Sequence, residues 1–206
     1  MNRPSRGGER RSRYTSSQAV VVRSTNLESL QEGKIVYLRH PARGDLEEFL
    51  SLVLASRGLH RPWVYPPRNE QAFHAYVDRA SSDRFLGCFV CLLETGAIVG
   101  VVNLSEIVRG LFQNAYLGFY GHSAYSGRGL MREGLLLLFR HAFREIKLHR
   151  IEANVQPENG RSLTLIRALG FRREGFSPRY LKIGGRWRDH ERWAILAENY
   201  KPRAGV

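Results

Sequence analysis

Cysteine is nearly absent from this chain: two residues in 206. Both, Cys88 and Cys91, fall in one apolar stretch, "LGCFVCLLE". Without a second pair they cannot complete the ligand set of a structural zinc site, and no disulfide framework can be built. The stretch reads as a strand, where positions three apart point to opposite faces. The two thiols are expected as small buried hydrophobes, with a redox pair or half a metal site as the alternative. A reduced, cytoplasmic setting is expected. No run of 18 or more apolar residues occurs, so no membrane-spanning helix is expected. The first residues lack the apolar segment of a secretory leader, so no export signal is expected there. No Gly-Lys-Ser/Thr closes a glycine loop, which excludes a Walker site, and the third glycine of a Rossmann fingerprint is missing.

Acidic residues are also in deficit. Nineteen Asp and Glu face 32 Lys and Arg, a net charge of +13. Such an excess concerns partners rather than fold. RNA, a ribosome or a phosphate-rich cofactor suits it; a merely soluble basic surface is the plainer reading. Part of the charge sits in residues 1–13, "MNRPSRGGERRSR", with five arginines and one glutamate. Residues 1–24 therefore read as a basic tail, disordered or ordered by a partner, and residues 25–200 as a single domain. Hydrophobic residues make up 43% of the chain, enough for a sizeable core.

The apolar patterns alternate in type. "KIVYLRH" (34–40) reads as a strand. "RGDLEEFLSLVLASRG" (43–58) has helical spacing, with Asp45 as N-cap and Gly58 as stop. "LHRPWVYPP" (59–67) is a proline- and aromatic-rich loop, and 69–81 is a second helix. Strands follow at 84–94, 97–107 and 113–122, the first two joined at Thr95-Gly96. A long helix covers about 129–146, a strand 150–156, and a helix 157–170 ends at Gly170. A last hairpin turns at Gly184-Gly185. The fold class is α+β: a mixed, mostly antiparallel sheet of six to seven strands, flanked by about four helices, with one helical crossover. There is no internal repeat.

The segment "YSGRGLM" (125–131) joins a strand to the long helix through Gly127 and Gly129. A helix start offers unpaired N–H groups and the positive end of its dipole. Glycines let those groups approach a ligand, and phosphate is the natural occupant. Nucleotide and CoA binders both fit that pattern.

Three longer stretches narrow it. "YSGRGLMREGL", "HRIEANVQPENGRSLTLIRALGFRREG" and "YLKIGGRWRDHERWAIL" together resemble the GCN5-related N-acetyltransferase (GNAT) superfamily. Within it they are similar to the RimJ/RimL-like ribosomal-protein N-terminal alanine acetyltransferases. The resemblance spans roughly residues 33–197. It implies the GNAT fold, with acetyl-CoA as cosubstrate and no metal. By that likeness the backbone of Phe119, Tyr120 and Gly121 pairs with the pantetheine amides, one N–H polarising the thioester carbonyl. The amides of Ser126, Gly127, Arg128, Gly129, Leu130 and Met131 hold the pyrophosphate. Asn159 and Ser162 match the family's N-x-x-S motif, Ser162 protonating the departing thiolate; both also suit a helix start.

The chain departs from the pattern at three places. Ala124 stands at the first position of the pyrophosphate loop, and Ile166 where many relatives have an acidic tyrosine. Arg179 occupies the position of an expected carboxylate. Glu106 is then the best candidate general base, with Asp189 and His190 as alternatives. Tyr180 is an acid or a wall of the acceptor slot, and Trp63 and Tyr65 are candidate walls too. The implied function is acetyl transfer to a protein N-terminal α-amine, alanine of a ribosomal protein. A small-molecule amine acetyltransferase, or an RNA- or ribosome-binding assembly factor retaining the fold, are the alternatives. RNA or ribosome contact through the basic surface, no membrane, and a monomer or homodimer complete the expectation.

Overall fold

A computed structural model describes residue 1 and residues 28–201. The basic tail expected at 1–24, and the boundary after it, lie outside the described residues apart from Met1. The strands are β1 (Ser29–Glu32), β2 (Val36–Arg39), β3 (Ser81–Ser82), β4 (Phe85–Leu92), β5 (Ile98–Val108), β6 (Asn114–Gly121), β7 (Arg150–Val155), β8 (Arg172–Ile183) and β9 (Arg186–Leu196). The helices are α1 (Leu46–Ala55), α2 (Arg57–His60), α3 (Glu70–Arg79), α4 (Leu130–Arg144) and α5 (Gly160–Ala168). Among the described residues one sheet runs β1-β2-β4-β5-β6-β7-β9-β8, with β3 pairing β4. All pairs are antiparallel except β6 with β7, the one joined through α4.

Among the described residues the sheet has nine strands, more than the six to seven expected. The additions are β1, a four-residue edge without apolar alternation, and the two-residue β3, read from the sequence as the end of a helix. The helix expected over 43–58 is broken. Ser56 leaves helical geometry, at φ −101° and ψ 11°, and separates α1 from α2. Its buried Oγ accepts a hydrogen bond from the Ser123 N–H at 3.0 Å, tying this corner to the loop before α4. Asp45 makes no side-chain cap to α1. Its carboxylate instead takes the Arg39 guanidinium in two bonds, of 2.7 and 2.8 Å, and the Ala42 N–H at 2.7 Å. A buried guanidinium gains more from that fork than a helix start would.

The sheet separates two apolar layers. One, under α4 and α5, includes Cys88, Val90, Val102, Leu137 and Phe139. The other, under α1 and α3, includes Phe49, Phe73, Phe89 and Cys91. The two cysteines are thus on opposite faces, which rules out their pairing, and burial pushes both thiols up to about 12. They are inert core residues at neutral pH.

Two contacts fix α4, the helix that follows the glycine loop. Glu133 Oε1 accepts from the N–H groups of Lys34 at 2.6 Å and Ile35 at 2.8 Å, reaching from the first turn of α4 to the β1–β2 turn. Gly134 lies on Val90: a Cβ there would stand 2.6 and 2.7 Å from its two methyl groups. Gly134→Val should therefore destabilise the fold by about 1–3 kcal/mol through overpacking. Urea unfolding measures it; an unchanged midpoint would mean that α4 and β4 separate freely.

Candidate active site

The site arises where the sheet opens. β6 and β7 pair only over Asn114–Tyr116 and Arg150–Glu152. Beyond that point β6 stays with β5 and β7 with β9, so two strand edges diverge. Between them lies a cleft of about 1300 Å³. His122 donates its N–H to the Val99 carbonyl, which sets the phase of the β5–β6 ladder. Antiparallel alternation then points the backbone of Tyr120 toward β5, and that of Phe119 and Gly121 toward the open edge. So the expected trio is reduced: Phe119 and Gly121 offer backbone groups there, while Tyr120 turns its ring into the core. The Gly121 carbonyl already accepts from His60 Nε2 at 3.0 Å. His60 is buried, which lowers its pKa, and its ring stands edge-on to Tyr120.

The glycine loop closes one end of the cleft. Gly127 and Gly129 both have φ +78°, the left-handed region where a side chain is strained. A Cβ at either would meet nothing within 4 Å, so the space above the loop is open to a ligand. Gly129 is also the N-cap of α4, and the first N–H groups of the helix follow it. Ser126, Gly127, Gly129, Leu130 and Met131 all border the cleft, together with Arg132. The Arg128 side chain does not; its guanidinium lies over the Tyr125 ring at 5.6 Å. Of the two arginines that the sequence offers as added charge for a phosphate, Arg128 and Arg132, only Arg132 borders the cleft. His60 was missed by sequence reasoning, because it sat in a segment read as a proline- and aromatic-rich loop.

The residues expected near the reacting atoms come to the same cleft. Asn159 caps α5, its side chain accepting from the Ser162 N–H at 3.2 Å, so the structural role read for it holds. Both border the cleft, as do Glu106, Tyr116, Tyr180 and His190. Glu106 sits in a β5 bulge at φ +48°. Its side chain is 61% exposed and engaged by Arg84 at 2.5 Å. Tyr180 lies beside Tyr116 and stands edge-on to His190. Asp189 accepts the Arg179 N–H at 2.7 Å, which holds Arg179 at φ +47° in a bulge of β8. The aromatic loop meets the hairpin tip, with the Tyr65 ring against Gly184.

A splayed parallel pair, a glycine-capped helix start and a polar far end suit a long ligand with a phosphate at one end and chemistry at the other. The acetyltransferase (GNAT) domain family matches residues 36–172. The chain belongs to the GNAT acetyltransferases. It is 32% identical over 173 residues to the probable N-acetyltransferase YjcK of Bacillus subtilis, covering 80% of this chain and 96% of that one. To the [ribosomal protein uS5]-alanine N-acetyltransferase of Escherichia coli it is 43% identical over 105 residues, 51% of this chain and 54% of the relative. The spermidine N(1)-acetyltransferase of Vibrio cholerae is 25% identical over 81% of this chain and 96% of its own. Among solved structures, Mycobacterium smegmatis RimJ in complex with CoA-disulfide superposes with a TM-score of 0.74 at 29% identity, covering 81% of this chain and 86% of that chain. The GNAT reading of the fold is borne out.

Proposed function

We propose that this GNAT acetyltransferase moves an acetyl group from acetyl-CoA to the N-terminal α-amine of a protein, an alanine of a ribosomal protein. The support is the 43% identity to an enzyme named for that reaction. The cleft fits the cosubstrate: strand edges at Phe119 and Gly121 face it, and open space lies over Gly127 and Gly129. Acetyl-CoA supplies the activated acetyl group. The chain's part is to bind it along β6, hold its pyrophosphate on the first amides of α4, and donate a proton from Ser162 to the leaving sulfur. Tyr180 shapes the acceptor side. Glu106, at the mouth, faces the arriving ammonium with the carboxylate oxygen that Arg84 leaves free.

The spermidine enzymes among the relatives suggest a second acceptor class, a polyamine. One observation weighs against it. Glu106 is the sole carboxylate among the described residues that border the cleft, and Arg84 already pairs with it. A polycation needs several such partners. The basic surface fits RNA or ribosome contact during recognition of the acceptor.

The test is to incubate the protein with acetyl-CoA and peptides beginning with Ala, Ser or Met, and separately with spermidine. Mass spectrometry locates the acetyl group. Acetylation of the alanyl α-amine in preference to the others is expected. Preference for spermidine would overturn the peptide reading; turnover of none, with retained RNA binding, would favour an assembly factor.

A further inference from the structure

His190 borders the cleft, as Asn159 and Ser162 do. It lies in β9 next to Glu191, which pairs with Val155 at the end of β7, and it pairs with Ser177 of β8. The residue is only 2% exposed, yet it borders the cleft. Its Nδ1 lies 2.9 Å from the Arg188 carbonyl oxygen. A carbonyl only accepts, so Nδ1 carries the hydrogen and Nε2 carries the lone pair. Among the described residues no donor meets Nε2. The Tyr180 ring stands edge-on at 6.3 Å and fixes the imidazole from the β8 side.

We propose that His190 Nε2 is the proton acceptor for the incoming amine. The inference rests on the N-acetyltransferase reading of the cleft and supplies the base that Arg179 removes from the expected position. An N-terminal amine is mostly protonated below a pKa of about 7.7–8.0. Nitrogen has two protons to lose in becoming an amide. His190 takes the first, turning the ammonium into an amine, and passes it to solvent. As the C–N bond forms and the C–S bond breaks, the second reaches the sulfur by way of Ser162. Nothing is oxidised or reduced. Glu106 is less suited, because Arg84 holds its carboxylate and most of it faces water.

Burial lowers the His190 pKa from its usual value, the carbonyl contact and the Asp189 charge opposing that shift. The ring is therefore neutral at pH 7 and able to accept. The other titratable groups around it are Tyr180 on β8 and, beside Tyr180, Tyr116 on β6. The Asp189 carboxylate is engaged by the Arg179 N–H.

His190→Gln keeps the size and removes the basicity. At pH 6.5 it should lower kcat/KM on an alanyl peptide by about 10²-fold. The deficit should shrink as pH rises past the pKa of the amine, where free amine is already present. Acetyl-CoA affinity should not change. A deficit that is absent, or constant across pH, overturns the proposal, since a structural role has no reason to follow the amine. Should the variant not fold, ¹⁵N-histidine NMR of the native protein decides: an unprotonated Nε2 that responds to added CoA and acetylated peptide is expected, and an Nε2–H tautomer overturns it. If spermidine is acetylated and the peptide is not, the peptide reading fails alone. The same pH comparison on spermidine, with its deficit persisting to higher pH, then decides His190. No turnover of any amine overturns both.

Discussion

Ser162→Ala should lower kcat about 10²-fold and leave acetyl-CoA affinity nearly unchanged. The substitution is clean because of how α5 begins. Asn159 holds the helix start through the Ser162 backbone N–H, which alanine also has. Only the hydroxyl is lost, and alanine is at least as good a helix former, so the fold should not weaken. Asn159→Ala serves as a contrast. It removes the cap, costs about 1 kcal/mol of stability, and frees the turn that positions the hydroxyl. Steady-state kinetics beside calorimetric titration with CoA separates the two effects. An unchanged kcat in Ser162→Ala would remove the hydroxyl from the proton path and leave the far end of the cleft to His190 and Tyr180.

Gly129→Val should weaken CoA binding at least tenfold, which is about 1.4 kcal/mol. Two effects are mixed in that variant. The left-handed backbone at φ +78° makes valine cost about 1–2 kcal/mol in stability wherever such a residue sits. The added methyl groups then project into space that is open in the protein and wanted by a phosphate. Gly110 gives the control. It has φ +71°, nothing within 4 Å of a Cβ, and no part in the cleft. Gly110→Val should show a similar loss of melting temperature and normal CoA affinity. If the two variants bind CoA alike, the glycine loop has no share in the cofactor site.

Much of the architecture was legible because its signals are local. Gly184 and Gly185 stand side by side in a hairpin turn, and both take positive φ. Gly170 ends α5 as expected, with its N–H on Arg167 and the next N–H, from Phe171, on Ile166. The strand holding Cys88 and Cys91 alternates faces as its spacing requires. What stayed hidden depends on distant partners. Asp45 has the position of a cap and the right chemistry for one, but Arg39 on the neighbouring strand outbids the helix. The break at Ser56 follows from a contact with Ser123, 67 positions away. In the cleft, glycine and N-x-x-S motifs marked both ends, because short spacings set them. The reach of His60 to Gly121 and the approach of Tyr180 to His190 are products of tertiary packing. Arg179 and Glu106 show the same limit, since residue type alone did not reveal that each is held by a neighbour of opposite charge or polarity.

The short β6–β7 pairing has a consequence for cooperativity. Among the described residues, the rungs at Asn114–Tyr116 and Arg150–Glu152 are the only ladder between the part of the sheet built from residues 29–121 and the part built from residues 150–196. Backbone hydrogen bonding between the parts is therefore sparse, although they share the apolar layer under α4 and α5, and β7–β9 are expected to open as a unit more readily than the whole. Amide exchange of the ligand-free protein should therefore fall into two groups, with β7, β8 and β9 exchanging together through a sub-global opening of lower free energy. A ligand that lies across both edges binds only when the two are docked, so it should merge the groups, slowing exchange in β7–β9 by the factor its own concentration and affinity dictate.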